Sequence, residues 1–221
     1  MDLNRRLKQV GCIWCPDIAD LSEIRGIGTI TGNPIPIDSP AGRGLKFDAD
    51  ASEYINFDNT GTDTRFDATA TYLTVMAWVK ITRGIVSKAI IARDGQTSGW
   101  HTYVNADEQF CMTSKGLGMN AVTISNTDAV SLNTWNHMAV SFIIDTATIG
   151  NNLGTMYVNG DKTNTARAEG VDPVVSSVNL QVGSRGGGAL SEMEGSIARP
   201  MIFARQLSNQ EILDFANGTP F

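Results

Sequence analysis

The chain predicts an all-β layered fold, a sandwich or a barrel, and three observations carry that expectation. From Met138 to Ile144 the side chains alternate, with Met138, Val140, Phe142 and Ile144 on one side and Ala139, Ser141 and Ile143 on the other. That two-residue period belongs to a strand buried mainly on one face. Thr155 to Val158 is a second run, and it ends in Asn159-Gly160. Asn-Gly between extended segments is a strong hairpin signal, because both residues accept the positive φ of a type I′ turn. Ser131 to Lys162 is therefore expected to form the central hairpin of an antiparallel sheet. The third observation is a succession of short apolar runs divided by Gly, Asn and Asp along most of the chain.

Length and composition bound the rest. All-β sandwiches commonly run to 221 residues as one domain, and a chain of this size buries roughly 70% of its unfolded surface without needing staples. Hydrophobic residues at 42% and charged residues at 18% are ordinary globular values, which argues against long disorder. A net charge of -6 and a pI of about 4.9 weigh against nucleic acid as a partner, since phosphate neutralisation needs clustered Lys and Arg. No apolar run approaches the ~20 residues that span a bilayer. The opening MDLNRRLKQV lacks the apolar stretch of a secretory signal, so folding in a cytosol is expected. Three cysteines, an odd number, fit reduced thiols better than a disulfide framework.

In chain order, Leu3, Leu7 and Val10 fall at helical spacing while Arg5, Arg6 and Lys8 point elsewhere. Residues 1–11 are thus expected to be a short basic arm before a single domain, 12–221. Gly26 to Gly44 is rich in Gly and Pro and predicts a loop or edge ribbon, because Pro34, Pro36 and Pro40 each lack a donor and fix φ. Strands are predicted at Leu45–Asp48, Tyr54–Phe57 and Leu73–Ile81, where Leu73, Val75, Ala77, Val79 and Ile81 share a face. Further strands follow at Ala89–Arg93, Trp100–Asn105, Gln109–Thr113, Val178–Gly183 and Ile197–Ala204. Pro200 inside the last run implies an edge or a bulge. Ser208-Asn-Gln-Glu211 is a capping box that opens a helix over about 208–217, with Ile212, Leu213 and Phe215 apolar and Gly218 and Pro220 at its end. That helix is expected to seal an end or edge of the sandwich.

The order GLKFDADASEYINF, YLTVMAWVKI, SLNTWNHMAVSFI, GTMYVNGD, LQVGS and EGSIARPMIFARQLSNQEI resembles the laminin-G-like group of the concanavalin A-like lectin and glucanase superfamily. Trp14 and the Gly-rich stretch from Asp20 to Gly32 fit the opening usual there, so the resemblance runs from about Cys12 to Asn217. It implies a jelly-roll sandwich of two antiparallel sheets, and a structural role for His137. It does not imply one function, since lectins, adhesion modules, glycosidases and virion components share the fold.

Retaining glucanases of this fold carry two carboxyl groups ~5 Å apart across the scissile bond. The nearest match, Asp48-Ala-Asp50-Ala-Ser-Glu53, begins with Asp and falls in a turn by the family register, so catalysis is not expected from it. Asp48, Asp50 and Glu53 are instead candidate ligands for a hard cation such as calcium, against the plainer reading that Asp-rich turns cap their own backbone. Trp100 and Tyr103 are candidates to stack on a sugar ring, against the reading that aromatic residues in strands are core. Cys12-Ile-Trp-Cys15 has redox-pair spacing but no βαβ setting, and zinc would need two more ligands, which leaves a semi-buried thiol pair around Trp14. Gly183 to Gly188 lacks the Lys-Ser/Thr of a phosphate loop and reads as a hairpin loop. No Ser or Cys sits in a nucleophile elbow.

The expected function is therefore a non-enzymatic interaction module with no required cofactor. Short standalone laminin-G-like chains resemble decoration or tail-associated proteins of bacteriophages. That resemblance implies a surface-exposed virion component, made in the host cytoplasm, that joins other structural proteins or a homo-oligomer and adheres to glycans. In this reading Leu3, Arg5, Arg6, Leu7 and Lys8 form the docking arm. The alternatives are a free extracellular lectin and a glycoside hydrolase.

Overall fold

The computed structural model describes residues 11–66, 72–83, 87–95, 98–115, 121–125, 129–143, 152–168, 176–186 and 191–218. The arm residues Leu3, Arg5, Arg6, Leu7 and Lys8, like Ile144, lie outside them. In chain order the strands are β1 (Cys12–Trp14), β2 (Gly28–Thr31), β3 (Ile35–Ser39), β4 (Gly42–Phe47), β5 (Tyr54–Phe57), β6 (Tyr72–Ile81), β7 (Lys88–Asp94) and β8 (Gly99–Val104). They continue as β9 (Phe110–Lys115), β10 (Ala121–Ser125), β11 (Asn136–Ile143), β12 (Asn152–Val158), β13 (Asp161–Ala168), β14 (Leu180–Val182) and β15 (Gly195–Phe203). Helix α1 (Leu21–Ile27) precedes β2, and α2 (Asn209–Ala216) follows β15.

An eight-stranded sheet runs β13-β12-β11-β6-β15-β4-β3, with β1 also paired to β15, and a seven-stranded sheet runs β10-β9-β8-β7-β14-β5-β2. Every pairing is antiparallel. The result is the expected jelly-roll sandwich. The strand alternation read from the sequence sets its core: Leu73, Val75, Ala77, Val79 and Ile81 of β6 and Met138, Val140 and Phe142 of β11 meet Ile55, Phe57, Ile91, Trp100, Phe110, Leu180 and Val182 from the other sheet. Trp14 packs edge-on against Phe57, with ring centroids 4.8 Å apart.

The hairpin is not central, however. β6 occupies the middle of its sheet, with β11, β12 and β13 on one side of it. The Asn159-Gly160 turn joins β12 to β13, with φ of 54° and 87° as a type I′ turn requires. Pro36 sits on the edge strand β3, where a missing donor does no harm. Pro200 instead marks a bulge inside a paired strand. The register of β15 on β6 shifts between Ala198 and Met201, and there β15 exchanges β4 for β1 as its second neighbour. The sequence reading named no strand at β1, β10 or β13, took the stretch holding β2 and β3 only as a loop or edge ribbon, and omitted α1. Asp20 caps α1 by accepting from the amides of Ser22 and Glu23 at 3.0 and 3.1 Å.

Helix α2 begins with the capping box, Ser208 and Glu211 exchanging bonds of 3.2 and 2.7 Å. It does not seal an end of the sandwich. It lies on the outer face of the eight-stranded sheet, where Met76, Ala139, Tyr157, Met201 and Phe203 form a second apolar cluster with Leu207, Ile212 and Phe215. These strands are apolar on both faces in their middle, so one of those faces needs a third layer.

Candidate functional site

The outer face of the seven-stranded sheet is built differently. Residues directly opposite in an antiparallel pair share a face, so the register places Asn56, Gln181, Ala92, His101 and Thr113 in one row across five strands. Tyr54 and Tyr103 project from the same face, by the two-residue period along β5 and β8. Gln181, His101 and Thr113 are nearly buried, while Tyr54, Asn56 and Tyr103 are half-buried. The Tyr103 ring stacks on His101 with centroids 4.8 Å apart, and its hydroxyl accepts from Thr113 at 3.3 Å.

A charged group sits at one end of this row. His101 Nδ1 lies 2.9 Å from Asp94 Oδ2. Arg185 Nη1 lies 3.2 Å from that oxygen and 3.1 Å from His101 Nε2. The Asp94 side chain has no exposed surface, so the histidine and the guanidinium stand in for water around its charge. A histidine oriented by a carboxylate is half of a nucleophilic triad. Here the nitrogen that would take the nucleophile's proton faces Arg185, which can only donate. Cys111, opposite Tyr103 in the register, has its thiol pushed up to about 11 by burial, the reverse of an activated thiolate. Asp94 is the sole carboxylate within the seven strands of this sheet, whereas glycoside hydrolysis needs a facing pair. The face can hold a ligand by ring stacking and amide hydrogen bonds, and it presents no acid-base pair across a cleft.

Below this face the scaffold is tied by Arg93, fully buried. Its guanidinium donates to the carbonyls of Gly61 at 3.0 Å, Ser176 at 2.7 Å and Asp63.

The residues singled out from sequence are not brought together. Trp100 is 1% exposed, and its indole N–H donates to the Phe66 carbonyl at 2.8 Å. It therefore offers no face to a sugar. Trp100 and Tyr103 are three residues apart on one strand, so they point to opposite faces, a consequence of the two-residue period. Asp48, Asp50 and Glu53 do not converge either. Glu53 is buried, and its two oxygens accept from the amides of Asn33 and Asp48, each at 2.9 Å. Asp48 accepts from the Asp50 amide at 2.9 Å. The Asp48 and Glu53 carboxylates thus accept from backbone amides of the turn, and among the described residues no three His, Cys, Asp or Glu gather as a metal site would require. Cys12, Cys15 and Cys111 form no disulfide, Cys15 being half-buried and the others buried. Among the described residues no helix is long and apolar enough to cross a membrane. The sequence reading missed Asn56, Gln181 and the partners of His101, because each is set by cross-strand register rather than by spacing along the chain.

Comparison with known proteins gives the same architecture. No curated protein matches the chain. Among solved structures, the binding domain of Paraclostridial Mosquitocidal Protein 1 has a TM-score of 0.67 at 12% identity, over 95% of this chain and 52% of that one. The receptor binding domain of botulinum neurotoxin mosaic serotype C/D has 0.63 at 17%, over 86% and 46%. Domain 4 of AbnA, an extracellular arabinanase from Geobacillus stearothermophilus in complex with arabinotriose, has 0.63 at 16%, over 90% and 93%. The chain thus spans about half the length of the first two of these domains and nearly all of the arabinanase domain. At such identities the likeness shows the fold. The family described as the concanavalin A-like lectin/glucanases superfamily matches residues 49–213, and with three quarters of its length so matched the chain belongs to that family.

Proposed function

We propose that this protein is a non-enzymatic binding module whose ligand is a glycan or a glycosylated receptor, held on the polar outer face of the seven-stranded sheet. One observation carries the reading. The two outer faces are unlike: one is apolar and covered by α2, while the other carries Tyr54, Asn56 and Tyr103, half-buried beside the row of Gln181, His101 and Thr113. Aromatic rings with a few fixed polar groups are what a sugar site is made of. The engaged state of His101 and the lone strand carboxylate favour holding over hydrolysis. Support by analogy comes from the fold neighbours, two of them binding domains of toxins and one solved with arabinotriose. In the fuller form of the proposal the module is a surface-exposed component of a bacteriophage particle, decoration or tail-associated, and its glycan contact is adhesive.

A glycan array probed with the native chain and with Tyr103→Ala tests the reading, each with and without chelator. Binding to a defined set of sugars that falls about fivefold or more in Tyr103→Ala is expected, since stacking on an aromatic ring is worth ~1 kcal/mol or more. Equal signals from the two proteins would remove this face as the site. Loss of signal with chelator would reopen a metal-dependent lectin.

A further inference from the structure

On the other side of the molecule, beside α2, a cleft of ≈ 230 Å³ opens between Ala41, Trp78, Arg199, Met201, Phe215 and Gly218. Three features of Arg199 bear on what this cleft can hold. Arg199 has φ of +45°, a left-handed backbone that a long side chain pays strain to hold. It stands in the β15 bulge, between Ala198 and Met201, and bulges re-aim side chains next to binding sites. Arg199 is half-buried and burial lowers its pKa, although Asp17 and Cys15 oppose that shift. Yet none of its donors has a hydrogen-bond or ion-pair partner among the described residues. A strained, partly desolvated cation whose opposing carboxylate, Asp17, lies beyond hydrogen-bond and ion-pair distance adds little to stability.

Its neighbour in the cleft is an aromatic platform. Trp78 is half-buried, and the His137 ring packs against its indole with centroids 5.5 Å apart at 60°, which fixes it in place. A guanidinium fork matches a planar carboxylate with two parallel bonds, and an indole face suits a ring. The volume is below the ~300–1,000 Å³ of drug-sized pockets, so a single ring is the size that fits. We propose that this cleft binds a single-ring carboxylate, an acidic sugar of the uronic acid kind, with Arg199 on the carboxylate and Trp78 against the ring. The site is on the opposite sheet from the glycan face and does not depend on it.

The test is a titration of ¹⁵N-labelled native protein with glucuronate, with glucose for the ring alone and with acetate for the charge alone. The readout is the Trp78 indole N–H, identified as the signal missing from Trp78→Phe. A saturable shift with glucuronate is expected, with glucose and acetate each about tenfold or more weaker. Arg199→Gly, which accepts the left-handed backbone without strain, should keep or raise the melting temperature and weaken glucuronate about tenfold or more. Arg199→Lys should retain part of the affinity, since it keeps the charge and loses the fork. Tyr103→Ala should leave glucuronate binding at this site unchanged, which separates it from the face proposed above. No saturable shift in the native protein, undiminished affinity in Arg199→Gly, or acetate binding as well as glucuronate would each overturn the assignment.

Discussion

His137 shows how one side chain couples this fold to pH. It is fully buried, and neither ring nitrogen has a hydrogen-bond partner among the described residues. Burial pushes its pKa down from 6.5 to about 4. The unfolded chain takes up a proton near 6.5 and the folded chain does not, so its contribution is whole above that pH and is lost as pH falls toward about 4. At pH 5 the loss is about 2 kcal/mol. Urea denaturation at pH 7 and pH 5 should show that difference in the native protein and little of it in His137→Phe. The variant should also gain about 1 kcal/mol at pH 7, because two unpaired polar atoms leave the interior. Equal pH dependence in the two proteins would contradict the assignment. Glu211 behaves in the opposite range. Its ion pair with Arg205, at 2.6 Å, and the bonds from Ser208 hold its carboxyl down at about 2, so the cap persists well below the pH at which His137 begins to charge.

At the scale of elements, α2 and the β12–β13 turn specify one another. Gly160 has φ of +87°, and a Cβ there would stand 2.7 Å from Leu213 Cδ1 and 3.2 Å from Ala216 Cβ. The turn is therefore glycine for two reasons, its backbone and the helix lying over it. Gly160→Ala should cost about 1–3 kcal/mol, whereas Gly26→Ala, inside α1 with nothing within 4 Å of the new Cβ, should be neutral or stabilising by up to about 1 kcal/mol. Chemical denaturation of both variants checks the contrast, and equal effects would mean that α2 does not rest on the turn as described. Thr74 binds the approach to α2 to β6 by donating to the Arg205 carbonyl at 2.8 Å and accepting from the Leu207 amide at 3.1 Å.

For the whole molecule, the layering assigns different work to the two outer faces. The middle of the eight-stranded sheet is covered by its own helix, with the Arg199 cleft beside that helix, and the seven-stranded sheet turns polar residues outward. For a virion component of this kind, the basic residues Arg5, Arg6 and Lys8 of the arm expected from the sequence are the proposed anchor. On that proposal, deleting residues 1–10 should leave a folded domain and abolish co-assembly with the partner particle. Size-exclusion chromatography with mass detection reads both states. Assembly at full affinity without the arm would sink that anchor.

The fold class, the Asn159-Gly160 turn, the α2 capping box and the core side of β6 and β11 were all legible in the sequence, because each depends on residues within one turn or one strand of each other. The Pro200 irregularity was legible too, though not its place in a paired strand. Alternation along a strand shows that two faces exist without showing which is buried, and β8 illustrates it: only packing against Phe66 and the eight-stranded sheet decides that Trp100 is inside and Tyr103 outside. The second apolar cluster, the use of both Glu53 oxygens by backbone amides, and the meeting of Trp78 with Arg199 join residues distant in the chain. Such contacts arise from sheet register and layer order, which are global minima of packing and not properties of any local segment.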